Sequence, residues 1–342
     1  MTRNRRFKSL VRARAGRTGE SYTSALRHLR QTDPRTDGDD GAVAPSLRIA
    51  VAQSPLFKHL SDRAGLAEHG ERLRSLMRAA RDADAELIQF PETSLFQPDK
   101  RALSSCGPTK IGLSDWSRVD WFALQDEFAK LRAEAKGLGL WTVIGLPHRT
   151  HGLPRPFNSL FVVSNTGEVA GRYDERMLSQ TKASLMYESG KQPLVFEIKG
   201  FRFGCALGME SHYPEIAIDY EARDVDCLLM STTGGTGEGQ RAFEAEIAGH
   251  AASLAFWTTL AVHACPDQTA RSAIAGPHGV SAARAESGNR PDLIYAEITT
   301  TANDPARLWR RQGRNQLRRT ASPNGPDQHP FHENLGPPLI GS

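Results

Sequence analysis

The most informative part of the sequence is a predicted strand that ends in a tight turn before a helix. It covers residues 203–215 and reads Phe203-Gly204-Cys205-Ala206-Leu207-Gly208-Met209-Glu210-Ser211-His212-Tyr213-Pro214-Glu215. The apolar residues ahead of Gly208 are typical of a buried strand, and the turn interrupts them abruptly. A strand, a turn and a helix are therefore expected in direct succession.

Periodic apolar residues predict further strands and helices on both sides of this stretch. Helical spacing indicates helices over about residues 63–82, 121–135 and 241–255. Strands are predicted at residues 47–53, 85–90, 141–145, 157–163, 168–173, 194–198, 203–207, 227–230, 257–262, 272–275 and 293–298. Strands that alternate with helices and are interrupted by hairpins indicate a layered α/β domain with mixed sheets.

The composition is that of a soluble globular protein, with 342 residues, 39% hydrophobic and 24% charged. No apolar run approaches the roughly 18 residues that a membrane span needs, so no membrane partner is expected. The four cysteines are far apart and form no Cys-x-x-Cys pair, which predicts reduced thiols and a cytoplasmic location. They are Cys106, Cys205, Cys227 and Cys265.

The positive charge is concentrated near the N-terminus. Residues 1–30 hold nine Lys or Arg and one acidic residue, whereas the whole chain has a formal net charge of only +4. We predict a basic, largely disordered arm and linker over residues 1–45, a domain over 46–312 and a C-terminal extension over 313–342. The arm could contact nucleic acid, but because no aromatic residues are interleaved with its charges, a solvated tail is expected.

Two other segments end a strand at charged residues. Leu87-Ile88-Gln89-Phe90-Pro91-Glu92 places a carboxylate just beyond a buried strand, and residues 167–178 form a hairpin return that ends in a charged cluster. Residues 249–257 follow the pattern of a helix that passes into a strand, and residues 271–279 are typical of a strand that ends in a Pro-x-Gly turn.

Together with residues 203–215, these segments resemble, in order and spacing, the nitrilase or carbon–nitrogen hydrolase superfamily, over about residues 47–310. The resemblance implies an α-β-β-α sandwich, dimerised through an α face, with a pocket for a small amide- or nitrile-type substrate. It implies no metal or organic cofactor. Loops 97–117 and 232–240 are expected to set the selectivity of the pocket.

In this family a Glu, a Lys and a Cys act on carbon–nitrogen bonds through a thioester. The Glu takes the proton of the thiol, while the Lys and a backbone N–H stabilise the oxyanion. Glu92 matches the family Glu. The place of the Lys, two residues after Tyr173, holds Glu175, and the place of the nucleophile holds Gly208. The resemblance therefore predicts impaired or altered catalysis.

Two hypotheses remain open. One is an active amidase-type hydrolase with Glu92 as base, a displaced nucleophile (Cys205 or an activated water) and a displaced cation (Lys182 or Arg176). However, Cys205 lies an odd number of residues before Gly208, which predicts that it faces the other side of the strand. The other hypothesis is a non-catalytic protein that binds a small amide-like or carboxylate ligand or serves as an assembly module.

Residues beside the predicted turn are the candidates for contact with a substrate or ligand. They are Met209, Glu210, His212 and Tyr213. A histidine at this place could act as an acid or base, although a structural role is more common for a single histidine at the start of a helix.

Overall fold

A computed structural model describes residues 45–57, 63–96, 99–234, 239–301 and 304–320. The predicted N-terminal arm lies outside these ranges except for Pro45, and the predicted C-terminal extension lies outside them beyond residue 320. The described residues from Ser46 onward form one compact unit.

Twelve strands and six α-helices are formed within the described ranges. The strands are β1 Ser46–Gln53, β2 Leu87–Gln89, β3 Trp141–His148, β4 Phe157–Val163, β5 Val169–Asp174, β6 Val195–Ile198, β7 Phe201–Leu207, β8 Cys227–Ser231, β9 Trp257–Ala261, β10 Ala273–Ala275, β11 Ser281–Arg284 and β12 Asp292–Thr299. The helices are α1 Arg63–Asp82, α2 Trp121–Leu138, α3 Gln180–Leu185, α4 Pro214–Ala222, α5 Gln240–Leu254 and α6 Pro305–Thr320.

The strands form two six-stranded sheets. Their orders are β12-β1-β2-β3-β4-β5 and β11-β10-β9-β8-β7-β6. In the first sheet β1, β2 and β3 run parallel, and in the second β7, β8 and β9 do so, whereas the remaining pairs are antiparallel. The prediction of mixed sheets is confirmed.

Successive side chains of each strand point to opposite faces of its sheet, and the buried apolar residues therefore form three layers. In β1, Leu47, Ile49 and Val51 pack between the two sheets, while Ala50 faces helices α1 and α2. In β8, Leu229 faces the first sheet and Leu228 faces α4 and α5. Because each sheet buries one face against the other and the opposite face under helices, the fold is the predicted α-β-β-α sandwich.

Three elements differ from the sequence-based prediction. Strand β11 was not predicted, because Ser281–Arg284 has no alternation of apolar and polar residues. The short helix α3 was not predicted, because six residues are too few for a helical periodicity to be read. Helix α6 continues through residue 313, so the predicted boundary between residues 312 and 313 falls inside a helix. Among the described helices, none has the length and apolar character that crossing a membrane requires.

Candidate functional site

The site forms where parallel strands of both sheets end. Glu92 follows β2, Gly208 follows β7 and Thr233 follows β8. The carboxyl ends of parallel strands lie at one edge of a sheet, and stacking the two sheets brings both edges together. The fold therefore places the two predicted strand-end motifs beside each other.

The backbone of Glu92 is held by close contacts with neighbouring strands. The chain passes so near Gly145 of β3 that a Cβ there would lie 2.4 Å from the Thr93 nitrogen. The ring of His263, which follows β9, donates from Nε2 to the Glu92 carbonyl at 2.7 Å. Both contacts bury the turn and point the Glu92 side chain towards the space between the sheets.

Three groups bind the Glu92 carboxylate. The Asn158 amide donates to Oε1 at 2.8 Å, the backbone N–H of Thr233 donates to Oε2 at 3.1 Å, and the Lys182 ammonium donates to Oε1. Glu92 is almost fully buried, so each of these bonds replaces one that water would otherwise make. Both carboxylate oxygens are therefore occupied by protein donors.

Glu175 completes the cluster from the end of β5. The Lys182 ammonium donates to its two oxygens at 2.7 and 3.0 Å, and the Asn158 amide donates to Oε2 at 2.5 Å. Lys182 is placed on α3, whose first turn is capped by the hydroxyl of Ser179. One buried ammonium thus lies between two carboxyl groups, in an arrangement that we call the Glu–Lys–Glu cluster (Glu92, Lys182 and Glu175).

The two carboxyl groups of the cluster differ in acidity. Burial, together with the charge of Glu92, raises the pKa of Glu175 to about 8 in spite of the nearby ammonium. Burial also opposes ionisation of Glu92, but the attraction of Lys182 and the hydrogen bonds outweigh it, so the Glu92 pKa lies below its usual value. The two carboxyl groups raise the pKa of Lys182 against the effect of burial. The cluster therefore combines one ammonium with two acids of different strength, and Glu175 takes up a proton at a higher pH than Glu92 does.

Gly208 lies directly against this cluster. Its φ of 58° is in the left-handed region that favours glycine. A Cβ at this position would lie 2.5 Å from Glu175 Oε1 and 2.7 Å from the Lys182 Nζ. The space that a side chain at residue 208 would enter is therefore already occupied by the carboxyl and ammonium groups.

A cavity of about 340 Å³ opens above the cluster. Glu92, Lys182, Gly208, Met209 and His212 are among its lining residues. Both selectivity loops expected from the sequence contribute, through Lys100, Thr232, Thr233 and Gly239. Residues 97–98 and 235–238 of these loops lie outside the described residues.

Cys205 is not part of the site, which corrects its candidacy as a displaced nucleophile. Its side chain is completely buried between the two sheets, where burial raises the pKa of the thiol, and it does not line the cavity. A thiol nucleophile must be accessible to the substrate and readily form the thiolate, and burial prevents the first and opposes the second at Cys205. Of the two candidate cations, Lys182 reaches Glu92, whereas the Arg176 guanidinium contacts Asp219 and the Tyr173 hydroxyl instead.

The candidates for ligand contact divide into two pairs. Met209 and His212 line the cavity, and the His212 ring contacts Glu246 through Nδ1 at 2.7 Å. Glu210 and Tyr213 do not line it, so their prediction as ligand contacts is not supported. Glu210 is fully buried, and its two oxygens accept four hydrogen bonds from the protein. Its carboxylate is therefore already fully bonded and has no acceptor site left for a ligand.

Sequence reasoning missed Asn158 and did not single out Lys100. Asn158 lies in β4 among apolar residues, and a buried polar residue in such a strand is a signal that a partner is present. Lys100 carries no comparable signal, because it stands in an irregular loop whose path only the folded chain defines. Within the described residues, no three His, Cys, Asp or Glu side chains are grouped as metal ligands.

Comparison with solved structures shows the same fold in amidases. A cysteine-to-alanine variant of the amidase from Nesterenkonia sp. AN1, in complex with butyramide, is 19% identical with a TM-score of 0.66 and covers 82% of this chain and 100% of its own. A glutamate-to-glutamine variant of that amidase, with the acetamide moiety of fluoroacetamide covalently added at the active-site cysteine, is 18% identical with a TM-score of 0.65 and covers 81% and 99%.

A family model described as carbon-nitrogen hydrolase matches residues 48–307. The match includes both sheets, the helices packed on them and every residue of the Glu–Lys–Glu cluster. Because it spans well over half of the chain, the protein belongs to the carbon–nitrogen hydrolase family.

Proposed function

We propose that this protein binds a small amide-type ligand in the cavity above the Glu–Lys–Glu cluster and does not form a thioester with it. One observation carries the proposal. Residue 208, at the place of the family nucleophile, is a glycine, and the space beside it is filled by Glu175 Oε1 and Lys182 Nζ.

The charges of the cluster also argue against efficient catalysis by an activated water. An attacking water would need a base, but the Glu92 carboxylate has a lowered pKa and already accepts hydrogen bonds from Asn158, Lys182 and the Thr233 backbone. Glu175 has a pKa near neutrality, yet it is fully buried and does not line the cavity. Removal of the nucleophile from such a catalytic unit typically costs on the order of 10⁶ in rate.

Binding is tested with butyramide, the ligand in one of the similar structures. By titration calorimetry we expect butyramide to bind the wild-type protein, and Ala242→Phe to abolish binding by filling the cavity that Ala242 lines. Ala245→Phe, on the same helix but outside the cavity, is the matched control and should bind as the wild type does. Equal binding by the wild type and Ala242→Phe would place the ligand elsewhere.

Catalysis is tested by intact-mass analysis after exposure to fluoroacetamide, together with an assay for ammonia release from amides. We expect neither a specific adduct nor ammonia, because no thiol lines the cavity. Cys106→Ser removes the one exposed thiol and controls for surface labelling. An adduct that persists in Cys106→Ser and disappears in Glu92→Gln would show an active thiol and overturn the proposal. Ammonia release that depends on Glu92 would do the same.

A further inference from the structure

Lys100 is the unusual residue of the cavity. It lines the cavity and is half-buried, and its ammonium has no hydrogen-bond or ion-pair partner among the described residues. A lysine that is partly removed from water is normally paired, because an unpaired ammonium loses hydration free energy that no protein contact replaces. Among the residues that the structure describes, Lys100 is therefore a cavity charge without a protein partner.

The other titratable residues that line the cavity, among those the structure describes, have partners. Lys182 is bound by both carboxyl groups of the cluster, Glu92 is bound by Lys182, and His212 contacts Glu246. Within the Glu–Lys–Glu cluster, the ammonium of Lys182 is thus paired with acidic groups on both sides. Of the described lysines that line the cavity, Lys100 is the one whose ammonium has no such partner.

The surroundings of Lys100 oppose its charge. Burial lowers the pKa of this ammonium, and the nearby Lys182 lowers it further, while Glu92 and Glu175 act in the opposite direction with smaller effect. An anion bound beside Lys100 would relieve both unfavourable contributions. The rest of the lining includes apolar surface from Met209, Ala242 and Phe243, which suits a short hydrocarbon chain.

We propose that the ligand of this cavity is a small organic acid derivative whose carboxylate is held by Lys100, with its amide-type end at the Glu–Lys–Glu cluster. This inference rests on the proposed function and adds the charge of the ligand to it. A cavity of about 340 Å³ is near the lower limit for ligand pockets, which favours a molecule of few carbon atoms.

The test compares butyramide with succinamate, the monoamide of succinic acid, by titration calorimetry at pH 7. The two probes have the same four-carbon chain and the same amide, and they differ in whether the far end is a methyl or a carboxylate. We expect succinamate to bind the wild-type protein at least about tenfold more tightly than butyramide. Lys100→Met should reduce that ratio, measured with both probes on the variant itself, to about twofold or less.

Two further variants make the result specific. Lys110→Met removes an exposed lysine of the same loop that does not line the cavity and should keep the full preference, and Lys100→Arg should keep most of it. Binding of butyramide without a preference for succinamate would overturn this inference alone. A preference that persists in Lys100→Met would also overturn it, since the carboxylate would then bind another group. Failure of both probes to bind would overturn the proposed function together with it.

Discussion

At the scale of single residues, the cluster preserves an ammonium beside Glu92 although the chain carries an acid at residue 175. Lys182, seven positions further along, reaches into the same space and binds both carboxyl groups. Burying two carboxylates without a cation would be very costly, so Glu175 and Lys182 are interdependent. The glycine at residue 208 belongs to the same arrangement, since a larger side chain would collide with both.

The raised pKa of Glu175 predicts how stability depends on pH. The carboxyl titrates near 4.5 in the unfolded chain and at about 8 in the folded protein. Between these values the folded state keeps a proton that the unfolded state releases, so this group makes the protein less stable as the pH rises from about 4.5 to 8. Glutamine cannot titrate. Placing an amide NH₂ among the donors Lys182 and Asn158 has a cost that does not change with pH. The free energy of unfolding of Glu175→Gln minus that of the wild type should therefore rise by a few kcal/mol from pH 5 to pH 8.

The measurement is the free energy of unfolding by urea at several pH values across that window. Glu188→Gln is the matched control, because Glu188 is a partly exposed carboxylate paired with Arg155 outside the cluster. A difference between Glu175→Gln and the wild type that stays constant from pH 5 to pH 8 would contradict the assignment of a proton to Glu175.

At the scale of elements, Glu210 joins the segment after β5 to the end of β7. One oxygen accepts from the backbone N–H groups of Arg176 and Met177 at 2.7 and 3.0 Å. The other accepts from the Tyr173 hydroxyl and from the backbone N–H of Leu207 at 2.6 and 2.8 Å. Because Glu175 and Gly208 are the neighbours of these segments, Glu210 positions the cluster without contacting the cavity.

Glu210→Gln is expected to destabilise the protein by about 2–4 kcal/mol, because the new amide NH₂ would face hydrogen-bond donors in place of an acceptor. Glu215→Gln, an exposed change on α4, should lie within about 0.5 kcal/mol of the wild type. Urea denaturation of both variants compares them directly. A loss for Glu210→Gln no larger than that for Glu215→Gln would show that these hydrogen bonds contribute little.

At the scale of the whole molecule, a buried cluster of ion pairs connects helix α6 to helix α4. The Glu221 carboxylate contacts Arg307, Arg311 and Arg314 at 3.5, 2.7 and 2.6 Å, and the Arg307 side chain is almost completely buried. Removal of one partner of a buried ion pair leaves an uncompensated charge, which is more damaging than the loss of an exposed pair. The attachment of helix α6 is therefore expected to depend more on buried Glu221 than on the exposed pair of Arg311 with Asp224.

Glu221→Gln should lower the free energy of unfolding by about 3–5 kcal/mol. Asp224→Asn is the matched control, since Asp224 also pairs with Arg311 but is exposed, and it should cost about 1 kcal/mol or less. Both values are obtained by urea denaturation at neutral pH. Similar decreases in the free energy of unfolding of the two variants would show that burial does not increase the contribution of Glu221 to stability.

The sequence alone determined the layered α/β fold, the strand-end position of Glu92 and the glycine at residue 208. These features depend on local apolar patterning and on the order of motifs, both of which can be read along a chain. The odd offset of Cys205 from Gly208 also predicted its burial on the other face of β7, because side chains alternate strictly along a strand. The position of Cys205 between the two sheets confirms that prediction.

Only the tertiary structure decided which distant groups meet. It selected Lys182 over Arg176 as the cation beside Glu92, brought Asn158 to both carboxyl groups and placed Lys100 at the cavity with no partner in the described part of the chain. These contacts join segments far apart in the chain, through a short helix and irregular loops that have no periodic pattern. Their positions follow from the stacking of the two sheets, and that stacking is a property of the packed core as a whole.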